Sequence, residues 1–171
     1  IAPPTLLYKG EMVIKADGLT VTPANSGEYS SVSVEKGGKP GSPLYGTINV
    51  TGGEVVLTVT GDIEVQQGCE IVISEDSSLI LYVAGNIICG EGSSMGYQGS
   101  PEQPSHLKIY GTATAPTIQT FDIKAKSHWS GTIYAPNADI TINAQGDVYG
   151  SFVSNSFEYK ALGNLYYDEN L

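Results

Sequence analysis

The chain has no arginine, and its eight lysines face eighteen aspartates and glutamates, for a formal charge of -10. Arginine is the usual bidentate ligand of phosphates and base edges, so its absence argues against a nucleic-acid partner and nearly as strongly against anionic lipid. The acidity reads as a solubility device. Cysteine is scarce too. Cys69 and Cys89 are too few for a disulfide framework and their spacing fits no common zinc motif, so a buried free pair is expected, with one disulfide as the alternative. No apolar run approaches the ~20 residues of a membrane helix, so no direct membrane insertion by this chain is expected. The first residues, IAPPTLLYKG, lack the basic and apolar regions of a signal peptide. They suggest a mature or trimmed piece, with any targeting segment upstream.

What is abundant points the other way from helix. Twenty-one glycines and nine prolines accompany many Val, Ile, Thr and Tyr residues, a balance that suits strands joined by tight turns. At 171 residues the chain has the size of one domain, 1–171, able to bury a continuous core.

The clearest pattern is self-similarity. LTVTGDIEV, from Leu57, lies over LYVAGNIIC, from Leu81, at a shift of 24 residues, with every second position apolar or Gly in both. GTIYAPNADI, from Gly131, lies over GSFVSNSFEY, from Gly150, at a shift of 19, placing Ile133 on Phe152, Ala135 on Ser154, Ala138 on Phe157, Ile140 on Tyr159 and, further on, Val148 on Tyr167. Two-residue alternation denotes strands with one buried face. A repeat of this length is about one turn of a β-solenoid, whose short strands stack in parallel from turn to turn. The expected fold is therefore all-β, a single-stranded right-handed parallel β-helix with coils of 19 to 24 residues. A β-sandwich also has many short strands, but gives no reason for the chain to resemble itself at this spacing.

On this reading Pro136-Asn137 and Asn155-Ser156 are corners, as are Gly61 and Gly85, where glycine permits positive φ and tight bends. The unequal periods imply loops of different length on a common coil. Strands are expected at Met12–Lys15, Leu19–Thr22 and Tyr29–Glu35, with residues 1–45 an irregular N-terminal cap or first coil. Residues 90–105, GEGSSMGYQGSPEQPS, read as a surface loop. SFEYKALG, from Ser156, could be a helix, but the repeat favours a strand. The core should contain Leu57, Val59, Ile63, Leu81, Val83, Ile87, Ile109, Ile133, Ile140, Phe152 and Phe157.

Chemical signals are weak. Gly92-Ser-Ser-Met-Gly96 matches the nucleophile-elbow pattern, yet that motif needs a strand-to-helix turn and no helix follows Ser94. His106 and His128 are too far apart to suggest a metal pair, and Glu75-Asp76 and Asp168-Glu169 lack the Asp-rich, Gly-turned context of a calcium loop. Pectin lyase-like enzymes of β-helical shape gather carboxylates on one face or use a basic residue; here Asp17, Asp62, Asp76, Asp122, Asp139, Asp147 and Asp168 form no tight cluster. The tyrosines, among them Tyr82, Tyr110 and Tyr134, could form a sugar-binding ladder, though surface packing explains them as well. No catalytic, cofactor-binding or metal residue is assigned.

PSHLKIYGT at 104–112, GTIYAPNADITI at 131–142, DVYGSFVSNSF at 147–157 and LYYDENL at 165–171 resemble, in that order, a bacterial domain of unknown function. That domain is found toward the C-terminus of envelope proteins, many of which begin with a PilX-type, type IV pilin-like segment. The resemblance implies a non-catalytic β-helical module outside the cytoplasm, structural or adhesive, at the cell surface or in a pilus-like assembly. Its expected partners are envelope proteins or surface glycans. The alternatives are a polysaccharide-active β-helix enzyme and a self-assembling scaffold similar to bactofilins, with their repetitive β-helical core.

Overall fold

A computed structural model describes residues 1–16, 18–37, 44–125, 129–160 and 162–167. The strands are β1 (Met12–Ile14), β2 (Leu19–Val21), β3 (Gly27–Tyr29), β4 (Val32–Val34), β5 (Lys36–Gly37), β6 (Leu44–Tyr45), β7 (Thr47–Val50), β8 (Glu54–Val59), β9 (Ile63–Val65) and β10 (Glu70–Ile73). They continue with β11 (Ser78–Val83), β12 (Ile87–Tyr97), β13 (Leu107–Gly111), β14 (Gln119–Ala125), β15 (Trp129–Ala144), β16 (Val148–Tyr159) and β17 (Leu165–Tyr167). Fifteen of them join one sheet, and β5 and β6 form a small antiparallel pair.

The pairing within the large sheet is parallel and falls into three ladders. The first runs β1, β4, β9, the start of β12, β14, the end of β15 and the end of β16. A second holds β2, β7, β10 and the end of β12. The third runs β3, β8, β11, β13, the start of β15, the start of β16 and β17. From β1 to β13 the chain visits first, second and third ladder in turn, and after β13 it alternates between first and third alone.

This explains the unequal repeats. Leu57 pairs with Leu81 and Ile63 with Ile87, the 24-residue shift read from the sequence, on circuits that include the second ladder. Gly131 pairs with Gly150 and Ile133 with Phe152, the shift of 19, on circuits that omit it. A ladder drops out; the difference is not one of loop length.

The bend expected at Pro136 lies within β15, whose Thr132–Tyr134 pairs in the third ladder while Ala138–Ala144 pairs in the first. Past it the expected register is corrected. Ile140 pairs with Phe157 and Ile142 with Tyr159, and Val148 pairs with Leu165, so Gly150 faces Tyr167. The physical cause is the corner itself, because Ala135 to Asp139 spans two residues more than Ser154 to Ser156 and the register resets to 17. SFEY, Ser156–Tyr159, is strand.

One further expectation changes and one is narrowed. Residues 90–97 are strand, not surface loop: β12 continues to Tyr97, and Ser93, Ser94, Met95 and Tyr97 are buried, since the end of β12 pairs with β10. The strands β2, β3 and β4 lie in register with β7, β8 and β9, so the described part of residues 1–45 follows the first-coil reading and not the irregular cap.

Successive inward residues form continuous apolar columns, such as Ile63, Ile87, Phe121 and Ile140, all fully buried. Each such side chain contributes roughly 1.5–3 kcal/mol before entropy is subtracted. Of the expected core residues, Phe152 is only partly buried and Phe157 lies at the surface.

The corners carry a signature. Gly61-Asp62-Ile63 stacks under Gly85-Asn86-Ile87, and Gly146-Asp147-Val148 under Gly163-Asn164-Leu165. In each the lower aspartate Oδ1 accepts the upper asparagine backbone N–H, at 2.6 and 2.7 Å. In each, too, the residue after the aspartate donates its N–H to the asparagine carbonyl, at 2.9 and 2.8 Å. Gly61 and Gly85 do not have positive φ. Glycine is required at 85 because a Cβ there would collide with the Gly61 backbone and the Asp62 carboxylate.

Gly85→Ala is expected to lower the unfolding free energy by about 1–3 kcal/mol, the usual cost of overpacking, read as a lower urea midpoint at unchanged m-value. Ile133→Asp, which buries a charge at a position only 2 % exposed, is expected to abolish cooperative unfolding, read by circular dichroism.

Candidate functional site

Buried polar atoms gather where the second ladder ends. Residues 98–106 lead from β12 to a 3-10 turn at Pro104–His106, which packs on β12 and β15. The His106 ring leans on Tyr97 with centroids 4.8 Å apart. Gly96 lies close against the Ser130 carbonyl, where a Cβ would intrude. Among the described residues, His106 Nδ1, Ser130 Oγ and Trp129 Nε1 are buried without a hydrogen-bond partner. Uncompensated burial of this kind is unusual and marks this end as the candidate site. Its chemistry is nonetheless closed: Ser130 is 2 % exposed, so its hydroxyl cannot meet a substrate.

The residues singled out from sequence are dispersed. Ser94 sits inside β12 opposite Glu70, and its hydroxyl accepts a 2.7 Å hydrogen bond from Gln98, an extended setting unlike a nucleophile elbow. His128, Asp17 and the pair Asp168-Glu169 lie outside the described residues. Asp76 closes its own turn, accepting from Ser74 and Ser77 at 2.9 and 3.1 Å, and Asp122 pairs with Lys124 at 3.1 Å. Among the described residues no group of three or more His, Cys, Asp or Glu could hold a metal.

Corner carboxylates are engaged likewise. Asp139 Oδ1 accepts from Ser156 at 2.6 Å and Asn155 at 2.8 Å, while Asn137 donates to the Ala113 carbonyl at 2.9 Å. Asn86 Oδ1 accepts the Thr120 N–H at 2.8 Å. Gln119, fully buried, donates to the Val83 and Gly85 carbonyls. Sequence reading missed this set as a class, although the fourfold Gly-Asp/Asn-aliphatic pattern was there to find it.

Tyr82, Tyr110 and Tyr134 do form a column in the third ladder, yet the Tyr82 and Tyr110 rings stack on one another at 5.0 Å and 22°. Tyr149 and Tyr166 stack at 4.9 Å. Each stack covers one face of its two rings, and Tyr134 is 40 % exposed. A groove of about 640 Å³ opens beside β1 between Glu11, Val13, Lys15, Leu19 and Tyr29; a polar one of about 320 Å³ lies between Glu91, Lys124, Asn143 and Gln145.

The sequence matches a family, DUF7305, described as a domain of unknown function, over residues 14–171. The chain belongs to that family. No curated protein and no solved structure matches it. The DUF7305 match takes in β2 to β17, and with them all of the corners and columns above.

Both cysteines of this DUF7305 chain are free and buried. Burial pushes the Cys89 thiol up to about 12 and raises Cys69. Alkylation by iodoacetamide at pH 8 should therefore modify neither in the folded protein and both after denaturation, as mass spectrometry would show; a labelled native Cys89 would contradict its placement.

Hydrogen bonds from Ser156 and Asn155 hold the Asp139 carboxyl below its ordinary 3.8. A folded pKa below the unfolded one gives a contribution that is complete above 3.8 and lost as pH falls through the lower folded value. Asp139→Asn should accordingly flatten part of the acid-side fall in Tm, measured by calorimetry between about pH 5 and 2.

Proposed function

We propose that this DUF7305 domain is a right-handed parallel β-helix that serves as a non-catalytic structural or adhesive module, displayed outside the cytoplasm on a bacterial cell surface or pilus-like assembly. The observation that carries the reading is the use made of its polar side chains. Asp62, Asp76, Asp139 and Asp147 all accept hydrogen bonds that fasten one pass of chain to the next or close a turn. Glycoside hydrolysis instead needs two carboxyls facing each other at a fixed separation across an open groove, one of them protonated. Three of the described grooves present one carboxylate each, Glu11, Glu91 and Glu64.

The solenoid reading is supported by the recurring order of the three ladders, and the envelope location by the resemblance of the segments between 104 and 171 to the domain of PilX-type proteins. Its partners are envelope proteins or surface glycans met through the outer faces of the ladders.

The test is a paired screen of purified protein against bacterial and host polysaccharides, one arm scoring retention and the other reducing-end release. Retention on a glycan without product is the expected result. Reproducible product release, abolished by substituting a carboxylate, would replace the module with an enzyme.

A further inference from the structure

Tyrosines on successive passes stand in register on the outside of the third ladder, and two pairs of them touch. Tyr82 and Tyr110 stack with ring centroids 5.0 Å apart at 22°, Tyr149 and Tyr166 at 4.9 Å and 11°. Parallel pairing gives both members of a pair the same outward direction, so equivalent ring carbons lie beside each other. In the second pair the phenol also has a base. Tyr149 donates its hydroxyl to Asp147 Oδ2 at 3.3 Å, while Asp147 Oδ1 takes the Asn164 N–H at 2.7 Å, which fixes the carboxylate between the two passes. Among the described residues Tyr149 is the one stacked tyrosine bonded to a carboxylate.

This arrangement suits oxidation of the ring. A tyrosine keeps its proton until about pH 10, so one-electron oxidation near neutrality must remove a proton as well, and a carboxylate already bonded to the hydroxyl takes it in place. The radical so formed carries its unpaired electron on the oxygen and on the two ring carbons ortho to it. The Tyr166 ring lies directly against those carbons. Tyr149 is half-buried and Tyr166 is 46 % exposed, so their outer edges are open to an oxidant.

We propose that Tyr149 and Tyr166 are a site of oxidative modification, joined as dityrosine by hydrogen peroxide and a peroxidase. The peroxide takes one electron and one proton from each phenol and leaves as two waters. The rings bond at carbons ortho to their hydroxyls, and the hydrogens displaced there return to the oxygens, so the chain loses two hydrogens in all. The new bond staples β17, whose three residues are all exposed, to its partner β16. The inference is independent of whether the module is catalytic or adhesive.

Exposure alone selects other residues. Tyr167 and Tyr8 are 69 % and 61 % exposed, and their coupling would join separate molecules. The test treats the full chain, dilute, with a haem peroxidase and hydrogen peroxide, digests it with trypsin and maps linked peptides by mass spectrometry. The lysines place Tyr149 in peptide 127–160 and Tyr166 in 161–171, whereas Tyr82 and Tyr110 fall in 37–108 and 109–124. The expected first product is a monomer in which 127–160 is bonded to 161–171 with the loss of two hydrogens, the bond between 37–108 and 109–124 forming later. Tyr166→Phe keeps a ring in the stack and should abolish that product, while Tyr167→Phe should leave it; circular dichroism verifies that both variants fold. The proposal is overturned by absence of this product, by covalent dimers in its place, by a bond that survives Tyr166→Phe, or by the bond between 37–108 and 109–124 forming first.

Discussion

Parallel backbone pairing in register is the constraint on which everything else here rests. Each pass of chain satisfies its amide groups on the pass before it, and so every side chain stands above a counterpart at strand spacing. The core is thereby built of columns, and a column tolerates only residues that stack on their own kind. Ile63, Ile87, Phe121 and Ile140 meet that requirement inside, while Tyr82 and Tyr110 meet it outside by stacking ring on ring.

Bending the chain between ladders exposes amides that the ladders cannot serve, and the corners answer with side chains. Asp62 and Asp147 each take the N–H of the asparagine above, so one short motif both turns the chain and fixes its height over the previous pass. An acid committed to two or three donors, as Asp139 is, is stabilised in its ionised form and is a poor proton donor. The acidic composition thus belongs to solubility and corner geometry together.

Loss of the second ladder after β13 shapes the rest of the molecule. With one face gone the passes shorten, Trp129 enters the core, and residues 98–106 settle against the end of β12, where buried polar atoms of His106, Trp129 and Ser130 are left without partners. Among the described residues, Phe157 and Leu165 come last in their columns and are exposed.

Alternation and self-similarity were enough, without coordinates, to determine that the chain is all-β, that Leu57 stacks on Leu81 and Ile133 on Phe152, and that Pro136-Asn137 bends a strand. These are local or periodic properties, and periodicity survives in one dimension. What the tertiary structure alone decided is how many ladders each pass visits. The 24- and 19-residue shifts look like one coil with variable loops until pairing shows that a ladder is missing. The register past Asp139 was likewise hidden, because a two-residue difference at a corner moves a strand along its partner while preserving inward and outward alternation. Residues 90–97 misled for a related reason: their Gly and Ser content signals a loop, but β10 supplies a paired edge and burial that override it. Which groups end up buried without partners, and which apolar residues stay exposed, depends on what lies above and below them, and that information is absent from any single stretch of sequence.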